Sequence, residues 1–172
     1  MSTIEELAQQ VAALGRRVAA SEAVLDLYSL KARYGELVDQ RFSAGEVVDD
    51  ATMAEVTAAA ASLFTTDGVW DGGPGLGVAT GRPAIAERLG RPTLTFARHL
   101  FVKPQITVEG DRAWGRWDLL SPCRRTDGRS YLMCGYEDDE YARIDGLWLH
   151  RTMRLTTVFV SPVTDGWSKI LA

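Results

Sequence analysis

Three turn dipeptides set the strongest constraint on what this chain can fold into. Gly110-Asp111, Asp127-Gly128 and Asp145-Gly146 cut the stretch after Thr95 into four extended segments. Pairs of this kind enter the left-handed region at low cost and close tight hairpins. The second half therefore reads as an antiparallel meander.

The first half follows another period. Ile4, Leu7, Val11, Leu14 and Val18 recur at spacings of three and four, and Ser2 and Thr3 are each followed three residues later by Glu5 and Glu6. A capping box in front of a heptad stripe predicts a helix with a narrow apolar seam. Such a helix suits a short oligomerisation arm, and equally one lying on its own domain. A second stripe, Val24, Leu27, Tyr28, Lys31, Tyr34 and Val38, should stop near Ser43, Ala44 and Gly45. A third helix is expected on Met53, Val56, Ala60, Leu63 and Phe64, starting at Asp49 or Asp50 and ending at Asp67 and Gly68. Val69 and Trp70 then suggest a short strand before the glycine-rich stretch 72–81, and Pro83 opens a short helix through Ile85 and Leu89.

Helices first and strands second indicate an α+β domain, with helices covering one face of a curved antiparallel sheet. The expected division is a helical arm over residues 1–20 and one domain over 21–172. Five tryptophans and five tyrosines, mostly in the sheet half, favour a pocket between sheet and helices over a solid core.

Composition narrows the function. Nineteen basic against twenty-three acidic residues give a net charge of -4, which supplies no positive field for a phosphate backbone. No run of eighteen apolar residues and no secretory leader pattern are present, so a cytoplasmic protein that neither spans nor binds a membrane is expected. Cys123 and Cys134 are too few for a disulfide framework and read as small core residues.

Candidate chemistry rests on few side chains. Imidazole alone among common side chains titrates near neutrality, at roughly 6.5 in model peptides, which suits it to take and return a proton. Of the two histidines, His99 lies on the first meander strand within Phe96-Ala97-Arg98-His99-Leu100-Phe101. Asp39 ends a largely apolar helical stripe, where a carboxylate needs solvent or a partner; reaching His99, it would fix the ring's tautomer. Tyr34 lies nearly one and a half turns earlier, and its hydroxyl suits either a core position or a bond to a substrate oxygen. The run Gly73-Pro74-Gly75-Leu76-Gly77 lacks the third glycine of a dinucleotide fingerprint and reads as a loop. No cluster has zinc-ligand spacing and no serine sits in a nucleophile elbow, so no metal and no cofactor are expected. Glu137, Asp138, Asp139 and Glu140 read as a solvated strand edge.

An ordered set of motifs then resembles a known family. Lys31-Ala32-Arg33-Tyr34-Gly35-Glu36-Leu37-Val38-Asp39, Leu63-Phe64-Thr65-Thr66-Asp67-Gly68-Val69-Trp70 and Gly81-Arg82-Pro83-Ala84-Ile85 are followed by Arg98-His99, Gly110-Asp111-Arg112-Ala113 and Tyr141 to Trp148. Together, over roughly residues 24–162, they are similar to the SnoaL-like branch of the nuclear transport factor 2-like superfamily, which includes scytalone dehydratase, hexachlorocyclohexane dehydrochlorinase and bile acid 7α-dehydratase. The resemblance implies a cone-shaped α+β barrel around an apolar cavity. It also implies a histidine and aspartate dyad for cofactor-free elimination, matched here by His99 and Asp39, with Tyr34 at a substrate-binding position. An arginine that some relatives carry on the last long strand is not matched in register, since Met153 falls near that place and Arg151 and Arg154 flank it.

The expectation from sequence is thus a dehydratase-type lyase acting on a small hydrophobic, cyclic or polycyclic substrate, steroid-like in shape. Trp70, Trp117, Tyr131 and Met153 are the expected cavity walls. An isomerase of a keto or steroid-like substrate in the same pocket, and a non-catalytic ligand-binding or partner subunit, are the alternatives. The heptad arm favours a homo-oligomer, dimer or trimer, under each.

Overall fold

The computed structural model describes residues 3–163. A single 36-residue helix, α1 (Ile4–Asp39), opens the chain from a complete capping box in which Thr3 and Glu6 bond reciprocally. No break separates the arm from the second stripe. Ala19-Ala20-Ser21-Glu22-Ala23 contains nothing that stops a helix, so the two expected helices are one. Ile4, Leu7, Val11, Leu14 and Val18 are exposed, and the first stripe therefore does not lie on its own domain.

α1 ends at Asp39, four residues before the expected stop. Ala44 and Gly45, both at positive φ, instead turn a small hairpin of β1 (Phe42–Ser43) and β2 (Glu46–Val47). Asp49 caps α2 (Asp50–Ser62) by accepting from the Thr52 backbone N–H at 3.0 Å. That helix is shorter than its apolar pattern, because Phe64 begins β3 (Phe64–Asp71) and Asp67-Gly68 lies inside the strand. β4 (Val78–Thr80) pairs back on β3, and α3 (Arg82–Leu89) starts behind Gly81 at φ 81°.

The meander has five strands where four segments were expected: β5 (Leu94–Ala97), β6 (Leu100–Glu109), β7 (Arg112–Arg125), β8 (Ser130–Ile144) and β9 (Leu147–Pro162). The first segment is broken at Arg98-His99 into β5 and β6, which both pair with β7. Gly110, Gly128 and Gly146 take positive φ at its three turns, joined by Asp145. The sheet runs β4-β3-β9-β8-β7-β5, with β6 also on β7. It is mixed, not wholly antiparallel, because β3 pairs with β9 in parallel. It is also a curved open sheet where a closed barrel was expected.

Two apolar clusters fill the space under the helices. Tyr34, Val38, Ala60, Phe64, Trp70 and Met153 form one; Ala23, Leu27, Leu30, Ala113, Tyr141 and Trp148 form the other. Between them the C-terminal half of α1 lies across the sheet. Among the described residues no helix is long and apolar enough to cross a membrane.

Candidate active site

The site begins where α1 stops. Arg98 donates its backbone N–H to Pro122 of β7 at 3.1 Å. Successive N–H groups along a strand point to opposite sides, so that of His99 faces away from β7, at the break between β5 and β6. Asp39 receives it there, at 3.1 and 3.3 Å to its two carboxylate oxygens. The same carboxylate holds the ring, with His99 Nδ1 2.7 Å from Asp39 Oδ1, and Arg98 Nε lies 3.4 Å from Oδ2. A carboxylate on the last residue of a helix faces the negative end of the helix dipole; these donors offset that disadvantage. Gly35 lets β6 come close, since a Cβ there would meet the Phe101 ring at 3.2 Å, and Phe101 stacks on His99 with ring centroids 6.2 Å apart.

His99 borders a cavity of about 920 Å³, also lined by Tyr34, Val38, Trp70, Leu119 and Glu137. The volume lies near the upper end of the usual range for small-molecule sites. Tyr34 Oη accepts from Trp70 Nε1 at 2.9 Å. Burial first, and the charge of Glu137 second, raise its pKa far beyond the ordinary phenol, so Tyr34 stays a neutral donor. The glycine-rich loop, from Gly72 to Leu76, forms one rim. Nor is the wall uniformly apolar, because Arg41, Arg88, Arg125 and Asp127 also line it.

Of the four expected wall residues, Trp70 lines this cavity and the others lie elsewhere. β7 is 14 residues long, about 45 Å, and only its C-terminal part, Leu119, Ser121, Cys123 and Arg125, reaches the cavity. Trp117, on the same face, packs edge-on against Tyr28 and donates to Tyr141 Oη at 2.9 Å. Tyr131 lies under the Arg125 guanidinium at 4.5 Å. Met153 is core, while its neighbour Arg154 turns outward to Asp71 at 3.1 Å. Cys123 is buried, which raises its thiol pKa; Cys134 is half-buried.

The largest departure from expectation is a buried charged network beneath the cavity. Lys31 reaches from α1 to Glu137 and, at 2.7 Å, to Asp139; Tyr141 Oη donates to Asp139 at 2.7 Å. Glu137 and Asp139 are 5% and 2% exposed, and β8 lies between β7 and β9, so the acidic run is not a strand edge, and its alternate members face the interior. Asp138 pairs with Arg116 outside at 2.7 Å. Burial pulls the Lys31 ammonium down, yet the two carboxylates outweigh it and raise its pKa. Asp139 is pushed up to about 6, burial outweighing Lys31. His150 lies beside Asp139 at 3.8 Å, wholly buried with neither ring nitrogen hydrogen-bonded, and burial holds it well below the usual imidazole range.

A family model for the SnoaL-like domain matches residues 16–154. The chain belongs to the SnoaL-like family. No curated protein shows significant similarity to it. Among solved structures, this SnoaL-like chain is similar to hexachlorocyclohexane dehydrochlorinase LinA-type3 from Novosphingobium barchaimii, with 22% identity, 86% of this chain and 92% of that one covered, and a TM-score of 0.68. LinA matches at 25% identity over 86% and 92%, TM-score 0.64. A scytalone dehydratase-like protein from Novosphingobium aromaticivorans matches at 21% over 82% and 87%, TM-score 0.66. These likenesses establish the nuclear transport factor 2-like fold, and the neighbours include proteins of dehydratase and dehydrochlorinase type.

Proposed function

We propose that this SnoaL-like protein is a cofactor-independent lyase that eliminates water or an acid from a small ring-bearing molecule, with His99 as the base. The observation that carries this reading is the 2.7 Å contact of His99 Nδ1 with Asp39, on a ring that borders the cavity. A carboxylate on Nδ1 fixes the tautomer with the proton on that nitrogen and stabilises the imidazolium. Nε2 is then left with its lone pair. A substrate C–H bond breaks to Nε2, its electron pair becomes the new C=C bond, and the bond to the leaving group breaks with its pair. The proton on Nε2 then neutralises the departing hydroxide or halide. Tyr34, held by Trp70, donates to an oxygen on the carbon framework and stabilises charge that develops there.

A positioned base of this kind contributes about 10² to 10⁴-fold, and orientation within the cavity supplies more. The test is mass spectrometry on ring compounds that carry a hydroxyl or halide two bonds from an acidic C–H. The expected result is loss of water or hydrogen halide with the wild-type chain and none with His99→Ala, both folded by circular dichroism. An unchanged mass with a moved double bond identifies an isomerase instead, and turnover undiminished in His99→Ala removes the histidine from the mechanism.

A further inference from the structure

The cavity carries more positive charge than the fold neutralises. Arg41, Arg88 and Arg125 line it, and among the described residues none has a carboxylate oxygen within 4.0 Å. The acidic residues of the same wall are engaged, Glu137 with Lys31 and Asp127 at 3.9 Å from Arg129. This concentration occurs in a chain of net charge -4, so it is local and not a reflection of the whole surface.

Two of the three guanidinium groups are fixed. Arg41 donates from Nε to the Val38 carbonyl at 2.7 Å and from Nη1 to the Leu89 carbonyl at 2.9 Å. Arg88 donates from Nε to the Leu76 carbonyl at 2.7 Å and from Nη1 to that of Arg91 at 3.2 Å, with its plane 5.6 Å from the Trp70 ring. Carbonyl partners orient these groups without cancelling their charge, and Nη2 of each makes no hydrogen bond among the described residues. A guanidinium does not shed its proton in a protein. Burial above all disfavours the Arg41 cation, with the charge of Arg88 adding to it and that of Asp39 opposing it, and a bound anion relieves that cost.

We propose that the cavity takes a ring-bearing organic carboxylate, whose carboxylate group is received by Arg41 and Arg88 while its apolar body lies along Val38, Leu119 and Leu155. A planar fork matches a carboxylate in geometry as well as charge. The proposal builds on the elimination reading only in giving that substrate a handle which fixes the C–H bond presented to His99.

Titration calorimetry on the full chain with 2-naphthoate and its neutral isostere 2-naphthamide tests it. Charge-assisted hydrogen bonds make the carboxylate bind at least about tenfold more tightly. That preference is expected to fall below threefold in Arg88→Gln and in Arg41→Gln, and to persist in Arg116→Gln, whose guanidinium faces Asp138 outside the cavity. If Arg41→Gln loses its fold with its two carbonyl anchors, Arg88→Gln decides alone. Equal affinity of the two probes, no binding of either, or a preference that survives in the folded cavity variants overturns the proposal. Binding is read without turnover, so failure here leaves the elimination reading standing, and failure of the elimination assay leaves this proposal standing.

A separate observation concerns the surface of α1. The exposed stripe runs past Val18 to Leu25 and Tyr28, 66% and 46% exposed. With Ile4 as heptad position a, the a residues are Ile4, Val11, Val18 and Leu25, and the d residues Leu7, Leu14, Ser21 and Tyr28. β-branched residues at a with leucine at d favour two parallel strands. Arg17 at g then meets Glu22 at the e position of a second copy, a complementary pair that only the parallel register makes. The geometry points to a parallel homodimer joined along α1. Light scattering should give a dimer, turned to monomer by Leu14→Glu with the domain's circular dichroism unchanged, and Ile4→Cys should cross-link under mild oxidant where the wild type does not. A monomer, a trimer, or a dimer in which Ile4→Cys does not cross-link overturns it.

Discussion

Asp39 meets three donors from one dipeptide: the N–H of His99, its ring and the Arg98 guanidinium. Replacing it by Asn keeps the shape but removes the charge that fixes the tautomer and supports the imidazolium. Asp39→Asn is expected to lower kcat by about 10² to 10⁴-fold with little change in melting temperature, measured on any substrate the lyase assay yields. Tyr34→Phe leaves the buried Trp70 N–H without an acceptor, and should cost about 1 to 3 kcal/mol of stability by urea unfolding as well as activity. Lys31→Met should cost about 3 to 5 kcal/mol, because two buried carboxylates lose their cation. His99, Asp39 and Tyr34 were nameable in advance because the resemblance supplied their pairing; nothing in spacing alone joins residues sixty apart. Arg41 and Arg88 were not, because an arginine in sequence carries no sign of which way its carbonyl partners turn it.

Elements were legible where local chemistry decides and illegible where tertiary pairing does. Asp49, Pro83 and the Asp-Gly turns act within a few residues, and each delimits an element as read; Asp49→Ala should lower stability by about 1 kcal/mol. Phe64 to Gly68 looks like the end of a helix, and instead joins Val69 and Trp70 in one strand because β9 and β4 pair with that strand from either side. The four consecutive acids of β8 hid a period of two. Glu137 and Asp139 face Lys31 while Asp138 faces Arg116, and only the partner across the sheet separates the inner pair from the outer. Long strands blurred the wall residues in the same way, since Trp117 and Leu119 share a face of β7 but only the latter reaches the cavity.

At the scale of the molecule, α1 is fastened to the sheet by a buried ionic network beneath the cavity, and this should set the response of stability to pH. Asp139 keeps its proton up to about pH 6 when folded, while an unfolded aspartate ionises near 3.9. Between those values the unfolded chain binds fewer protons, so this group lowers stability as pH rises. His150 has the opposite sign on the acid side. Burial keeps it neutral in the fold, the unfolded ring takes a proton below roughly 6.5, and stability falls as pH drops through that value. Urea midpoints from pH 4 to 7 should therefore show Asp139→Asn gaining on the wild type as pH rises, and His150→Phe losing less than the wild type as pH falls below about 6.5.

Proton abstraction by His99 depends on which of its ring nitrogens is bare. A ¹⁵N–¹H correlation spectrum of the imidazole at a pH where the ring is neutral reads this directly, assigned by its loss in His99→Ala. The expected result is a proton on Nδ1, retained in its bond to Asp39, and an unprotonated Nε2. A proton on Nε2 with Nδ1 bare would leave no base to receive a substrate proton, and would contradict the account.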